Sequence, residues 1–509
     1  MQWVVQINEL LQRNDFHTAF ETPTSIFQVP DCIRNDSPEA FTPRRISLGP
    51  YHHFRPELLK LELYKLLVAK KVKHQIQLPE FHQLVSDTLK PLELQIRACF
   101  DKYLEVGCES LSWMMLIDAL FLIRLLHIFA EVEVKRDLNS KLSWPELDVE
   151  HQQLYLNHEA SSMGRDEIIC DALMVENQIP FRVLKGILVG NEIINDLPVQ
   201  LYKFCVLVSP FGLPSHRSLF FNRGSRFPNL PQTFEQSHHL LQFLYLFILN
   251  QREIEMIREN AGDAFIGFLC LCCEILGSLL QMCIEGVFKE SNDLIQSLFT
   301  ILKTLVQPSS LQDDLSIIPS ASRLKKLGVK FEPSYSLRGI TFSKEKTSLR
   351  LPTITLDSNS QVILRNLVAF EVIAKLSPPC LSQYAAIMNG LIETTNDVKI
   401  LTKANIIINH LESDEEVVKL FDGFPKSESS QTESSSESSS MVDMDEIIEK
   451  LNKYYESKWR IKVAKFVKKY VSPTAKILAI LVVVLLIIFV IARIFCGLLF
   501  SHCPRVLKS

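Results

Sequence analysis

The strongest constraint on this 509-residue chain lies near its C-terminal end, where Ile477 to Ala492 is uninterruptedly apolar, Arg493 breaks the run, and Ile494 to Phe500 resumes it. These 24 residues make roughly 36 Å of helix against a hydrocarbon core of about 30 Å, so 477–500 is expected to span a bilayer with some tilt. Arg493 is close enough to the distal end for its stem to carry the guanidinium to the interface. Upstream, Lys458, Arg460, Lys462, Lys465, Lys468, Lys469 and Lys476 place seven cations in nineteen residues with no acid among them. The positive-inside bias then puts the body in the cytosol and the short tail 501–509 on the other side. The expectation is a tail-anchored, single-pass protein, in either the plasma membrane or an endomembrane. A second apolar run, Ala264 to Phe288, contains Glu274, Gln281 and Glu285. An ionised Glu near mid-bilayer is expensive, so this run reads as a buried helix, with a second span as the alternative.

Without the terminal run, hydropathy averages slightly below zero, as in an ordinary globular body. Glycine is scarce at 16 residues while Leu and Ile are abundant, a bias toward helix. The expected fold is mainly α, a multi-helix body over 1–425 with one small antiparallel β-sheet near 329–356. Periodicity near 3.6 residues predicts a helix from Pro56 to Lys73, whose apolar stripe is Leu58, Leu59, Leu63, Leu66 and Leu67. Others are expected over Pro91 to Tyr103, Leu111 to Val134, Asp166 to Leu188, Phe234 to Ile257, Ser320 to Gly328, Val362 to Ala374, Gln383 to Glu393 and Asp414 to Phe421. Leu138 to Gly164 reads as a loop. Short β-prone runs at Val329 to Glu332, Gly339 to Ser343 and Ser348 to Leu356 supply the sheet. Residues 426–441 are rich in Ser and Glu, too polar to bury, and read as a flexible linker. Residues 442–476 form a juxtamembrane basic helix that starts with Ile447, Ile448, Leu451, Tyr454, Tyr455 and Trp459.

The twelve cysteines show no paired framework and read as free thiols. The N-terminus lacks the charged and apolar regions of a signal peptide, and the single sequon, Asn35-Asp36-Ser37, is weakened by Pro38. All three point to a reducing, cytosolic compartment. From Lys458 onward the chain holds ten cations and no acids, leaving −14 on residues 1–457. An acidic body without a basic surface outside the juxtamembrane stretch argues against a nucleic-acid partner.

Signatures of known chemistry are missing. No two glycines are separated by a single residue, which excludes a G-x-G-x-x-G loop. Gly262 and Gly267 have Walker-like spacing, but Phe268 and Leu269 stand where Lys and Ser/Thr would be needed. Cys270, Cys272 and Cys273 lie in an apolar run without a nearby His and read as core, so no metal, cofactor or small-molecule substrate is expected. His52 and His53, ahead of the first strong helix, could serve as ligands or acid and base, but read better as structural. Glu176-Asn177-Gln178, between Met174-Val175 and Ile179-Pro180, suits buried turn hydrogen bonds. Asp118, within an apolar helix, is expected to pair with Arg or a backbone donor.

A series of motifs carries a resemblance. Ile26-Phe27-Gln28-Val29-Pro30 is followed by Thr42-Pro43-Arg44-Arg45-Ile46-Ser47-Leu48-Gly49-Pro50-Tyr51-His52-His53, then by Met174-Val175-Glu176-Asn177-Gln178-Ile179-Pro180-Phe181. Ala321 to Phe331, Leu351 to Asp357, Arg365-Asn366-Leu367-Val368-Ala369-Phe370-Glu371 and Asn396-Asp397-Val398 continue it. In order and register these resemble the plant family called domain of unknown function 247, or uncharacterised protein family 0481, from about Ile26 to the C-terminus. Arg182 departs from the apolar residue more usual after Pro180-Phe181, and residues 195–310 follow the family least. The resemblance implies a largely helical plant protein, commonly with one C-terminal membrane span and no established catalytic residues. Some grass relatives are implicated in self-incompatibility, which makes recognition and signalling at a membrane the leading class.

Two functions follow as expectations. The first is a membrane-anchored, non-enzymatic protein whose body binds an unidentified protein partner, a self-incompatibility determinant being one form of it. The second is a tethered enzyme of unrecognised chemistry, with Asp118, Glu176, His52 and His53 gathered into one pocket.

Overall fold

The computed structural model describes residues 20–132, 163–212, 230–250, 318–424 and 444–466, apart from Asp36, Tyr335 and Gly423, together with positions 4, 7, 8 and 11. The first helices longer than one turn are α1 (Leu59–Gln75), α2 (Glu93–Ala98) and α3 (Cys108–Val132), with a π-helical stretch at Leu84–Leu89. Helix α3 is apolar on nearly every side: Leu111, Met115, Leu116, Ala119, Leu120, Leu122, Ile123, Leu125 and Leu126 are all buried. Such a helix belongs in the middle of a body, and α1 and the π-helical stretch pack around it. Among the described residues Cys108–Ile128 is the one helix long and apolar enough to cross a membrane, and most of it is buried inside the protein. The runs 264–288 and 477–500 and the linker 426–441 lie outside the described residues.

Helix α1 forms where its periodicity predicts but faces the other way. Its buried side is Tyr64, Lys65, Val68, Ala69 and Val72, whereas Leu59, Leu63, Leu66 and Leu67 are 61%, 51%, 50% and 39% exposed. Of the expected stripe only Leu58, in the preceding 3-10 turn, is buried. Tyr64, Val68, Ala69 and Val72 make a second apolar row at i, i+4, i+5 and i+8, and Asp118 on α3 draws Lys65 inward.

The expected helix over Asp166 to Leu188 is two helices, α4 (Met163–Ala172) and α5 (Phe181–Ile187). The chain turns between them through Leu173 to Pro180, and Pro180 takes the extended conformation that precedes α5. Helix α6 (Ile193–Val208) is not legible in the sequence, because Pro198 sits in its interior where a proline normally breaks the pattern. Phe234 to Ile257 resolves into α7 (Leu230–Gln236) and α8 (Leu240–Leu249), with residues 251–257 lying outside the described residues. Both α5 and α6 pack against α3.

After α9 (Ala321–Lys326), Gly328 takes a left-handed conformation (φ +91°) just past the helix end. The strand region holds two sheets instead of one antiparallel sheet. Strands β1 (Lys330–Ser334), β2 (Thr341–Ser343) and β3 (Ser348–Pro352) form a mixed sheet in the order β1-β3-β2. The pair β2–β3 is an antiparallel hairpin, but β1 runs parallel to β3, with Phe331 opposite Leu349. The link between β1 and β2 contains a 3-10 turn at Leu337–Gly339 and carries the chain past the central position, which β3 fills. Strand β4 (Ile354–Leu356) pairs in parallel with β5 (Ile407–Asn409) as a second sheet.

Helices α10 (Ser358–Ile373), α11 (Cys380–Leu391), α12 (Thr395–Lys403) and α13 (Asp414–Asp422) surround these strands. The last described helix, α14 (Met444–Phe466), returns to the body. Ile447, Leu451 and Tyr454 are buried, the Tyr454 ring meets Phe342 edge-on at 5.4 Å, and α14 packs on β2 and α11. The helix expected over 442–476 is therefore docked on the body along its first turns. One continuous hydrophobic core runs from Ile26 to Tyr454. Cys32, Cys99, Cys108, Cys170, Cys205 and Cys380 are free thiols.

Candidate functional site

Residues 43–53 cross the body without regular secondary structure, so their buried N–H groups need partners from elsewhere. Asp171 on α4 accepts from the backbone of Arg44 (3.1 Å), Arg45 (2.6 Å) and Ile46 (3.0 Å). Asn177 accepts from Leu48 N at 2.6 Å and donates to Ile46 O at 3.1 Å and Asp171 O at 2.8 Å. Asp118 on α3 accepts from Gly49 N at 2.8 Å and pairs with Lys65 on α1. The Lys65 ammonium also donates to Ser47 O at 2.8 Å and meets Glu62 Oε1 at 2.7 Å. Side chains from three helices and one turn thus replace the ladder that a strand would have provided. Gly49 is required at its position: its φ is +78°, and a Cβ there would stand 2.6 Å from Gln178 O.

The second half of the motif builds a polar rim beside this spine. Glu176 Oε1 accepts from Val29 N at 2.7 Å and from Arg34, while Oε2 is 2.9 Å from His52 Nε2, a close polar contact without hydrogen-bond alignment at the ring nitrogen. His53 Nδ1 is 3.6 Å from Glu62 Oε2. Tyr51 donates to Asp101 at 2.6 Å and packs edge-on against Phe100, and Asp101 also accepts from Gln28 N at 3.1 Å. Gln178 donates to the carbonyls of Ala172 (2.9 Å) and Met174 (2.8 Å) and accepts from Leu241 N at 3.1 Å, tying the turn to α8. Pro50 lies in the same loop as Gly49, and the Pro180 carbonyl accepts from Val183 N at 2.9 Å in the first turn of α5.

Burial dominates the electrostatics. It pushes the Asp171 carboxyl up to about 6 against the pull of its three backbone donors. Asp118 is raised by burial as well, with Lys65 opposing. His239, fully buried and bonded to Ser25 O at 2.9 Å, is pushed down to about 3 and is neutral.

Arg365, Asn366 and Glu371 occupy another part of the molecule, along α10. Asn366 accepts from Val175 N at 2.9 Å and donates to Ala40 O at 2.7 Å, joining α10 to the first spine. Arg365 is buried with its guanidinium 5.3 Å from the Phe424 ring centre. Glu371 accepts from Tyr245 Oη (2.9 Å), Leu381 N (2.9 Å) and Ser382 N (2.7 Å), so it satisfies the first turn of α11 from outside. Burial raises its carboxyl too.

The structure therefore gathers Gly49, Pro50, Tyr51, His52, His53, Asp118, Glu176, Asn177 and Gln178 around one loop and places Arg365 and Glu371 apart from them. Lys65, Glu62, Asp171 and Arg34 complete the cluster and were not singled out by the sequence. The available signal for Lys65 was a lone cation between Tyr64 and Val68 in the less leucine-rich row of α1. Among the described residues no group of three His, Cys, Asp or Glu side chains could hold a metal ion. Of the cations expected to flank a membrane span, Lys458 lies 5.6 Å from the Tyr454 ring centre. Arg460, Lys462 and Lys465 lie on the α14 backbone, while Lys468, Lys469 and Lys476 lie outside the described residues.

No solved structure matches this chain. A putatively named UPF0481 protein of Arabidopsis thaliana is 30% identical over 550 residues, covering 99% of this chain and 96% of the relative. A second UPF0481 protein of the same plant is 23% identical over 410 residues, covering 78% of this chain and 71% of the relative. The profile of the DUF247 family, plant proteins of unknown function, matches residues 26–489 and so takes in the loop, its carboxylate and amide anchors, and α10. On that coverage, the chain belongs to the DUF247 family of plant proteins of unknown function.

Proposed function

We propose that the chain is a single-pass, C-terminally anchored protein whose helical body faces the cytosol and acts by binding another protein, as a recognition or signalling component. The observation that carries the non-enzymatic half is the use made of the motif. Asp171, Asn177 and Gln178 spend their polar atoms on main-chain groups, Asp118 and Glu176 divide theirs between main-chain N–H groups and the side chains of Lys65, Arg34 and His52, and all five carboxylates and amides, with Lys65, are buried. A general acid or base must reach a substrate proton, and these groups do not. His52 and His53 keep 11% and 24% of their side chains exposed, which is what an enzymatic reading would have to build on. The anchor rests on the apolar run 477–500 with its basic approach.

Protease added outside sealed microsomes is expected to digest the body; full protection would refute the cytosolic orientation. Alkaline carbonate should leave the chain in the membrane pellet, and its release would refute the span. Proximity labelling from the body should recover a reproducible partner set. Background labelling alone, in every tissue that expresses the protein, would refute the interaction role.

A further inference from the structure

Helix α14 is held differently from the helices before it. Of the thirteen side chains described in it, at 446–458, Ile447, Leu451 and Tyr454 are buried, whereas α10 buries ten of its sixteen. Connections of six and three residues tie α10 to α11 and α11 to α12, but 21 residues, 423–443, separate α13 from α14. A connection of that number can reach about 70 Å, so α14 can leave its seat and return without pulling a neighbouring helix with it. The helix is also built to stand free of the body. Its outward face pairs Glu446 with Lys450 at 2.9 Å and Glu449 with Lys453 at 2.5 Å. In both pairs the acid precedes the cation by four residues, the order that supports an isolated helix.

The seat itself, between β2 and α11, shows what it accepts. The buried residues of α14 recur at i, i+4 and i+7, with Ile448 and Tyr455 half-buried beside them. This is the spacing by which an amphipathic helix lies in an apolar groove. Tyr454 is the anchor: its ring meets Phe342 edge-on at 5.4 Å, and Lys458, one turn on, lies 5.6 Å from its centre. Strand β2 is the outer strand of its sheet, so an empty groove would uncover Phe342 and a strand edge. One helix is therefore expected to leave as another enters. We propose that this groove is a recognition site for a helix of another protein that carries Ile, Leu and Tyr at i, i+4 and i+7 with a cation four residues after the Tyr, and that α14 holds the site as an in-chain competitor. The inference rests on the interaction reading above and names the groove and the chemistry of its partner.

The test uses the full chain in detergent micelles and a fluorescent peptide copying residues 444–466. Leu451→Asp with Tyr454→Asp should release α14, and anisotropy should show the peptide binding this variant at least tenfold more tightly than the parent, because the tethered competitor is gone. A peptide with the same two substitutions should not bind, and adding Phe342→Asp to the released chain should abolish binding. No binding to the released variant, equal binding to variant and parent, or binding indifferent to Phe342→Asp would overturn the proposal. Hydrogen exchange on the unsubstituted chain needs no variant to fold: amides 447–455 should exchange at least tenfold faster than amides 363–371, and faster again with excess peptide carrying a heavy-isotope label. Equal protection of the two segments, or exchange indifferent to the peptide, would overturn it. A photo-crosslinker at Phe342 of the released chain should capture the peptide; capture of a second copy, of lipid or of residues 251–317 instead would overturn it. Proximity labelling separates the two readings, since release of α14 should enrich the partner set at least threefold. If the parent has a partner set that release leaves unchanged or depletes, the groove is wrong while the interaction reading stands. If neither protein labels a set, the interaction reading itself fails.

Discussion

The two halves of the body satisfy buried polar groups by different routes. Around residues 43–53 the partners are remote: Asp118 bonds across 69 residues, Asp171 across about 125 and Glu176 across 147. In the strand-bearing half much of the work is local. Asp357 accepts from Asn359 and Ser360 while Ser360 answers to the Asp357 backbone, and Thr394 with Asp397 forms the same reciprocal cap three residues apart. Local caps stabilise one helix end each, whereas the remote anchors join α1, α3 and α4 to a segment with no ladder of its own. The first half should therefore fail cooperatively when one anchor is removed, and the second should lose stability in small, separable steps.

The largest effect tests the spine directly. Asp118→Ala leaves the buried Lys65 ammonium with Glu62 and the Ser47 carbonyl and should cost about 3–5 kcal/mol in urea unfolding. Lys65→Met combined with Asp118→Leu should recover more than half of that loss. A cost below about 1 kcal/mol for the single change would erase the contrast between the halves.

Asp171 supplies a pH test. Because burial raises its carboxyl to about 6 from 3.8, the folded chain holds this proton more tightly than the unfolded one. Its contribution is complete below about pH 4 and lost as pH rises through about 6, up to about 3 kcal/mol in all. Unfolding measured from pH 4 to 7 should show this decline in the parent and not in Asp171→Asn. A contribution that grows with pH would mean that the three backbone donors outweigh burial.

Asn177→Ala removes one acceptor and two donor contacts of the same spine and should cost about 2–3 kcal/mol. The smallest effects belong to the local caps: Asp357→Ala and Thr394→Ala should cost about 1 kcal/mol each, and their double variant the sum. A cap variant as damaging as Asn177→Ala would show that the two halves are not built differently.

The same contrast explains what could be read in advance. Helix α3 is legible because its apolar residues need no particular partner, whereas α10 begins four residues before the expected Val362 and α12 is not expected at all, although both carry short polar caps at Asp357 and Thr394. The buried face of α1 was not legible. Hydropathy favours its leucines, and only the presence of Asp118 on another helix makes burial of Lys65 favourable. Strand positions could be read from composition, but the parallel pairing of β1 with β3 depends on where a six-residue link carries the chain. The polar trio at Glu176 was recognisable as turn chemistry. That it serves a segment some 130 residues earlier was not, since nothing in either stretch specifies the other.

Helix α14 has a mechanical consequence. It is 23 residues long, about 34 Å, and its early turns are clamped on β2 and α11 while its later turns lead toward the basic approach of the proposed anchor. A rod clamped at one end transmits torque, so if it runs on into the proposed anchor, rotation or tilt there would turn the whole body with it. A load on the body would in turn reach that anchor through the β2 hairpin, making the small aromatic contact between Phe342 and Tyr454 one joint in its path.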